Sequence, residues 1–212
     1  MTDENSGKSR IACKQIFNAI EAEVINLAYH ISLEEGLKKV YSPHIAELQL
    51  RIYAQIEFLL KDIYADVSHG KGKVNPKYDE DCIPKLALKN KYVYLHWDMC
   101  KFKKRLYRPF CKSEERIRCI EENGSPRLEA GGKKNYRWNN AYQNLRHDFG
   151  ASLCYFGTLE YLFEGLSAMT VLMEDSNHIF SIVEIAIDKN TGEKKAFGWV
   201  PGSSAIRKSW DI

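Results

Sequence analysis

The sequence predicts a mainly α-helical protein, an up-and-down bundle of about five helices followed by a C-terminal β-hairpin. Over residues 11–175, apolar side chains recur at steps of three and four, which places them on one face of a helix. Beyond them, β-branched residues flank polar ones around a turn signal at residues 188–192. Because 212 residues suffice for one core, we expect a disordered N-terminus (1–10), one bundle (11–175) and a hairpin extension of that domain (176–212).

Two helices are predicted in the first third of the chain. The first begins at Ile11, where the periodic pattern starts. The second begins at Ser42-Pro43, because serine is a good N-cap and proline at the first helical position costs no hydrogen bond. It should end by Val67, before a glycine-rich segment. Its buried stripe is expected to comprise Ile45, Leu48, Ile52, Ile56, Leu59 and Ile63.

The middle of the chain predicts a third helix over residues 85–105, which Pro109 ends. Residues 112–135 are charged and contain several glycines, so we expect an exposed loop with a short helix near residues 114–121. The apolar seam of the third helix, at steps of four and three, would consist of Leu88, Tyr92, Leu95, Met99, Phe102 and Leu106.

Two further helices precede the hairpin. The fourth begins near Asn135 and is interrupted at Gly150. The fifth covers residues 151–173 and is apolar on more than one stripe, which is typical of a central helix. The hairpin strands would hold the β-branched residues from Ile179 to Ile187 and the segment at residues 196–200.

Composition excludes some classes of protein. The net charge of +3 does not demand a nucleic-acid partner, although it leaves room for a local basic patch. The polar N-terminus is no signal peptide, and no apolar run approaches the roughly 20 residues that span a bilayer. These observations predict a protein without membrane contact, and the six scattered cysteines predict reduced thiols and a cytoplasmic location.

Residues 138–148 are the most informative part of the sequence for function. Arginine and histidine, here Arg146 and His147, are the residues that bind phosphates and move protons near neutral pH. Trp138 and Tyr142 are four residues apart and share a helix face, for which core packing is favoured over base stacking.

The string from Trp138 to His147 reads aromatic-x-x-Ala-Tyr-x-x-Leu-basic-His. With the apolar helix after it and the helix over residues 42–66, it resembles the HEPN superfamily, helical bundle proteins of prokaryotic toxin–antitoxin, abortive-infection and CRISPR systems. The resemblance covers about half of the chain. It implies a helical bundle, a homodimer and RNA as a ligand, with Asn144 and Asp148 as supporting residues of the motif.

Many members of this superfamily are metal-independent endoribonucleases, in which an arginine precedes a histidine on one helix and two copies meet in a dimer. His147 matches the family histidine, but Tyr142 stands where the arginine is expected. Arg146 and His147 remain the candidate catalytic pair, although helix neighbours point about 100° apart. A second subunit would have to bring Arg146 or Arg137 to His147, so the spacing argues against the usual nuclease chemistry.

Each feature also has a plainer interpretation. His147 and Asp148 can simply cap the end of their helix. Lys101, Lys104, Arg105 and Arg108 form a cluster that can hold a phosphate backbone, as can Arg137, but cations also favour a helix C-terminus without any ligand. A zinc site from His96, Cys100, Cys111 and Cys119 lacks any Cys-x-x-Cys pair, so burial is the better interpretation.

The first functional hypothesis is therefore a HEPN-like protein of a prokaryotic defence, toxin–antitoxin or stress system that engages RNA. The alternatives are a non-catalytic module that binds itself or a cognate protein partner, and a nucleotide-binding helical bundle. We expect a homodimer, with RNA and a cognate protein as candidate partners, and neither a metal nor a cofactor.

Overall fold

The computed structural model describes residues 2–69, 71–122, 124–187, 191–199 and 207–211. The described part is a mixed α/β protein with six α-helices and two antiparallel sheets, so the predicted helical bundle is wrong. The helices are α1 (Thr2–Leu27), α2 (Pro43–Val67), α3 (Ile83–Lys85), α4 (Arg137–His147), α5 (Phe149–Phe156) and α6 (Leu159–Met173). The strands are β1 (Tyr92–Leu95), β2 (Leu106–Tyr107), β3 (Glu114–Glu122), β4 (Ser125–Asn135), β5 (Phe180–Ile187), β6 (Lys194–Trp199) and β7 (Arg207–Asp211).

Helices α2 and α6 form the centre of the core. The start of α2 is confirmed, since the Ser42 hydroxyl accepts a hydrogen bond from the Ile45 amide at 3.1 Å. The Tyr53 hydroxyl on α2 donates to the Tyr161 carbonyl on α6 at 3.1 Å. Helix α6 is buried around nearly its whole circumference, as its apolar composition predicts.

The C-terminal hairpin of β5 and β6 is confirmed, but it belongs to a larger sheet. The order is β2-β1-β5-β6-β7, and every neighbouring pair is antiparallel. Phe180 on β5 packs against Phe163 of α6, with ring centres 6.1 Å apart, so the sheet covers one face of the helical core. Part of the predicted turn, residues 188–190, lies outside the described residues.

The predicted third helix over residues 85–105 is wrong, because this part of the chain contains β1 instead. Val93 and Leu95 are buried and alternate with half-buried tyrosines, which is the period of a strand. Met99, placed on the helical seam, is 58% exposed. The spacing of three and four between apolar residues in this segment is therefore accidental, and the pairing of β1 with β5 determines the local structure.

The predicted loop over residues 112–135 is also wrong, as is the short helix within it. The segment is a long hairpin of β3 and β4, whose turn contains Gly124 at a φ of +75°. All of β4 except Asn135 is exposed. An apolar pattern that would mark this strand is therefore absent from the sequence.

Three helix boundaries differ from the prediction. Helix α1 begins at Thr2, so residues 2–9 are helical rather than disordered; extending an existing helix costs less than nucleating one. The chain breaks at Asp148, not at Gly150, and the Asp148 carboxylate accepts from the Ala151 amide at 3.1 Å, which caps α5. The predicted fifth helix divides at Gly157, where a Cβ atom would lie 2.8 Å from the Leu153 carbonyl oxygen.

No helix in the described residues is both long and apolar enough to cross a membrane.

Replacing Gly165 by alanine tests the contact between α2 and α6. The added methyl carbon would lie 2.7 Å from Tyr53 Cε1 and 3.1 Å from Ile52 Cγ2, inside a fully buried region. We expect Gly165→Ala to lower the free energy of unfolding by about 1–3 kcal/mol, the usual cost of overpacking, as measured by urea denaturation. Gly150→Ala is the matched control because a Cβ there meets nothing within 4 Å. Equal stabilities of the two variants would contradict this packing.

Candidate nucleic-acid interface

The hairpin of β3 and β4 lies against α4 and leaves an open crevice between them. Two adjoining pockets make up this hairpin crevice, with volumes of about 290 Å³ and 580 Å³. They lie side by side, because Arg116, Asn135 and Gln143 line both. The smaller pocket lies beside β3 and the end of α4, and the larger one lies towards the end of β4.

Two asparagines of α4 hold β3 in place. The Asn144 side chain accepts from the Cys119 amide at 2.6 Å and donates to the Ile117 carbonyl at 2.8 Å. One turn earlier, Asn140 accepts from the Ile117 amide at 3.4 Å and donates to the Glu115 carbonyl at 2.7 Å. Among the described strands, β3 pairs only with β4. These amides therefore satisfy the strand edge that no other strand covers.

Besides Lys112, which pairs with Asp79, four exposed cations line the crevice. Within the described residues, none of them forms an ion pair within 4.0 Å. Their charge is therefore available to a ligand. They are Arg116 and Arg118 on β3, and Lys133 and Lys134 on β4.

The two acidic residues of the crevice are both engaged. Asp79 pairs with Lys112 at 2.6 Å and accepts from the Tyr136 hydroxyl at 2.7 Å. Asp148 caps α5. Neither carboxylate neutralises the four cations, so the crevice favours an anionic ligand.

The structure separates Arg146 from His147, as their neighbouring positions on a helix predict. His147 is exposed at the end of α4 and lines the smaller pocket together with Arg116 and Arg118. Arg146 instead donates to the Tyr142 hydroxyl at 3.3 Å, and its guanidinium lies 5.7 Å from the centre of that ring. Arg146 is not among the residues of either pocket.

Arg137 lies on the other side of α4, in a cluster of carboxylates. Its guanidinium is 3.2 Å from Glu164, 3.3 Å from Glu160 and 4.0 Å from Glu114. Burial disfavours the guanidinium charge, but the carboxylates, Glu164 foremost, raise the pKa of Arg137 above its ordinary value. Burial, and secondly Glu114, raises the pKa of Tyr161 in the same cluster. Arg137 thus joins α4 to α6 and is not free to contact phosphate.

The other predicted phosphate-binding cations do not share a helix face, because no helix forms there. Lys104 pairs with Glu164. Arg105 donates to the Leu95 and Trp97 carbonyls, both at 3.4 Å. Arg108 donates to the Lys89 carbonyl at 2.9 Å and to the Asn90 side chain at 3.0 Å. Lys101 is exposed and is not among the residues that line the crevice.

The aromatic residues of α4 pack in the core, as predicted. Trp138 is 2% exposed, and its indole nitrogen donates to the Pro109 carbonyl at 3.1 Å. Its ring stacks on Tyr136 with centres 5.8 Å apart. Tyr142 is half-buried beside Tyr53, with ring centres 5.7 Å apart. Neither ring lines the crevice.

The residues considered for zinc do not assemble into a site. His96 Nε2 hydrogen-bonds the Asn177 carbonyl at 3.0 Å, and Cys100 is fully buried. Over the part of the chain that the structure describes, no group of three or more His, Cys, Asp or Glu residues is arranged to hold a metal ion. All six cysteines are free thiols.

The four crevice cations are not predicted as binding residues from the sequence, because that prediction places their segment in a loop. The sequence contains two signals. Arg116 and Arg118 are two residues apart, which places them on one face of a strand. Asn123-Gly124, between two charged runs, is the dipeptide typical of a hairpin turn.

Comparisons with protein-family models, with curated proteins and with solved structures find nothing that matches this chain. The chemistry of the crevice is therefore the basis for assigning a function.

Replacing Asn144 by alanine tests whether the amides hold the hairpin. The change leaves the Cys119 amide and the Ile117 carbonyl without their partners. We expect a loss of about 1–3 kcal/mol in the free energy of unfolding and faster hydrogen exchange at Cys119. The control is Gln143→Ala, which removes one hydrogen bond of 3.4 Å from a half-buried side chain. Similar exchange rates at Cys119 in both variants would show that the amides do not hold β3.

Proposed function

We propose that this protein engages RNA through the hairpin crevice. The observation that carries the proposal is that four cations line one crevice without an ion pair among the described residues. Phosphate contacts by lysine and arginine supply most of the affinity in nucleic-acid binding. The resemblance of residues 138–147 to HEPN proteins also favours RNA, on the motif alone, because the helical bundle that it implies is not the observed fold.

The hairpin also contains acidic residues that modulate this charge. Glu129 lies directly opposite Arg118 across the hairpin, and Glu115 lies opposite Lys134. In neither pair does a side-chain nitrogen lie within 4.0 Å of a carboxylate oxygen, the limit for an ion pair. Because these carboxylates reduce the local positive potential without neutralising it, their removal should strengthen anion binding.

Removing the β4 cations tests RNA binding. We expect Lys133→Ala/Lys134→Ala to weaken binding of a fluorescent RNA, measured by anisotropy. The slope of log affinity against log salt should fall by about 1.4, because each lost phosphate contact on a single strand contributes about 0.7.

Glu129→Gln should tighten binding. Lys61→Ala, whose lysine pairs with Glu57 on α2, is the neutral control. Wild-type protein that retains no RNA at low salt would refute the proposal and favour the alternative of a non-catalytic protein-interaction module.

A second candidate function is metal-independent cleavage of the bound RNA. One observation favours it: His147 lines the same pocket as Arg116 and Arg118. Cleavage through the 2′-hydroxyl requires a base, which takes its proton and returns one to the departing 5′-oxygen, and a cation that stabilises the phosphorane. A single chain offers both groups here, whereas the pairing of Arg146 with His147 would need a second subunit.

Replacing His147 by alanine distinguishes cleavage from binding. If the protein cleaves RNA, His147→Ala should lower the cleavage rate in the presence of EDTA by about 10²–10⁴-fold, the usual contribution of a general base, while the protein still binds RNA through the four cations. Arg146→Ala should cleave at the wild-type rate because Arg146 is directed at Tyr142. Full cleavage by His147→Ala would exclude this role. Intact RNA with the wild-type protein would leave binding as the function.

The biological setting stays a prediction. The HEPN resemblance favours a prokaryotic defence, toxin–antitoxin or stress system, a homodimer and a cognate protein partner. The six free thiols fit the reducing cytoplasm. Sedimentation of the purified protein and identification of co-purifying proteins would test the dimer and the partner.

A further inference from the structure

The two pockets of the hairpin crevice differ in chemistry. The larger one is ringed by cations, among them Lys133 and Lys134. The smaller one combines Arg116 and Arg118 with the apolar side chains of Ile117 and Ile120 on β3, and α4 adds polar side chains. A phosphate backbone fits the first lining, whereas a flat heteroaromatic ring with hydrogen-bonding edges fits the second.

Size restricts what the smaller pocket accepts. Its volume of about 290 Å³ is at the lower limit of small-molecule pockets, which extend over about 300–1,000 Å³. That space suits one nucleobase. Since Arg116, Asn135 and Gln143 line both pockets, a nucleotide can place its base in one pocket and its phosphates in the other.

Gln143 is the amide available to read a base. The side-chain atoms of Asn140 and Asn144 are committed to β3. Gln143 makes one hydrogen bond, from Nε2 to the Asn139 side chain at 3.4 Å, and its Oε1 has no partner in the described part of the chain. It is half-buried and lies where the two pockets meet. An amide that keeps a donor and an acceptor complements the edge of a base.

His147 completes this polar side. It lies one helical turn after Gln143, so both side chains project from the same face of α4. Its ring has no hydrogen-bond partner among the described residues and lines the smaller pocket. Imidazole rings stack on unpaired bases in many RNA complexes.

We propose that the smaller pocket receives one unpaired nucleobase, that Gln143 hydrogen-bonds its edge, and that the crevice therefore selects single-stranded over duplex RNA. In a duplex the pairing edges are occupied and the bases are stacked, so no base can enter a pocket enclosed by β3 and α4. This inference rests on the proposed RNA binding and adds the form of RNA that is recognised.

The test compares a short single-stranded RNA with the duplex of the same sequence by anisotropy at one salt concentration. The wild-type protein should prefer the single strand by about tenfold or more, which corresponds to a few hydrogen bonds. Gln143→Leu should bind the single strand about tenfold more weakly than the wild-type protein does, and its affinity for the duplex should be unchanged. Gln143→Glu should shift preference towards oligo-A and oligo-C, because a carboxylate accepts from their amino groups but cannot donate.

Lys133→Ala separates this inference from the proposed function, because it should weaken single strand and duplex equally. Wild-type protein without preference for the single strand, or unchanged binding by Gln143→Leu, would overturn the base pocket and leave RNA binding intact. Failure of the wild-type protein to bind either RNA would remove the proposed function itself.

Discussion

The hydrogen bonds from two asparagines of α4 to the edge of β3 determine the rest of this site. Backbone amides and carbonyls at a strand edge need partners, and a two-stranded hairpin leaves one edge of each strand open. Asn140 and Asn144 provide those partners for β3 at one-turn spacing. They thereby fix the distance between hairpin and helix. That distance sets the width of the crevice and brings Arg116 and Arg118 into the same pocket as His147.

Helix α4 can hold β3 in place because its opposite side is itself fixed to the core. Arg137 contacts three carboxylates, two of which belong to α6. Removing one partner of such a partly buried cluster leaves a charge without its partner, which costs more than the pair contributes. The third carboxylate, Glu114, begins β3 and also accepts from Asn140. One cluster therefore positions the helix against the core and the hairpin against the helix.

Local signals in the sequence were sufficient for part of this structure. Ser42-Pro43 predicts the start of α2, and the composition of residues 159–173 predicts a central helix, because caps and stripes depend on neighbouring residues. Strand β1 could not be predicted, since its partner β5 is distant in the chain and its residues also fit a helical spacing. In the site, His147 was evident from its motif. Arg116 and Arg118 became neighbours of His147 only through a hairpin that exposes nearly all of its second strand.

The position of β1 has a consequence for how the chain folds. Tyr92 on β1 pairs with Val183 on β5, so the central pair of the larger sheet joins segments that leave the ribosome at very different times. Closing so long a loop is costly, and folds rich in such distant contacts form slowly. Until β5 emerges, β1 has an open edge towards its future partner. We therefore expect truncation before β5 to yield an aggregating product, although every residue of the hairpin crevice would already have been synthesised.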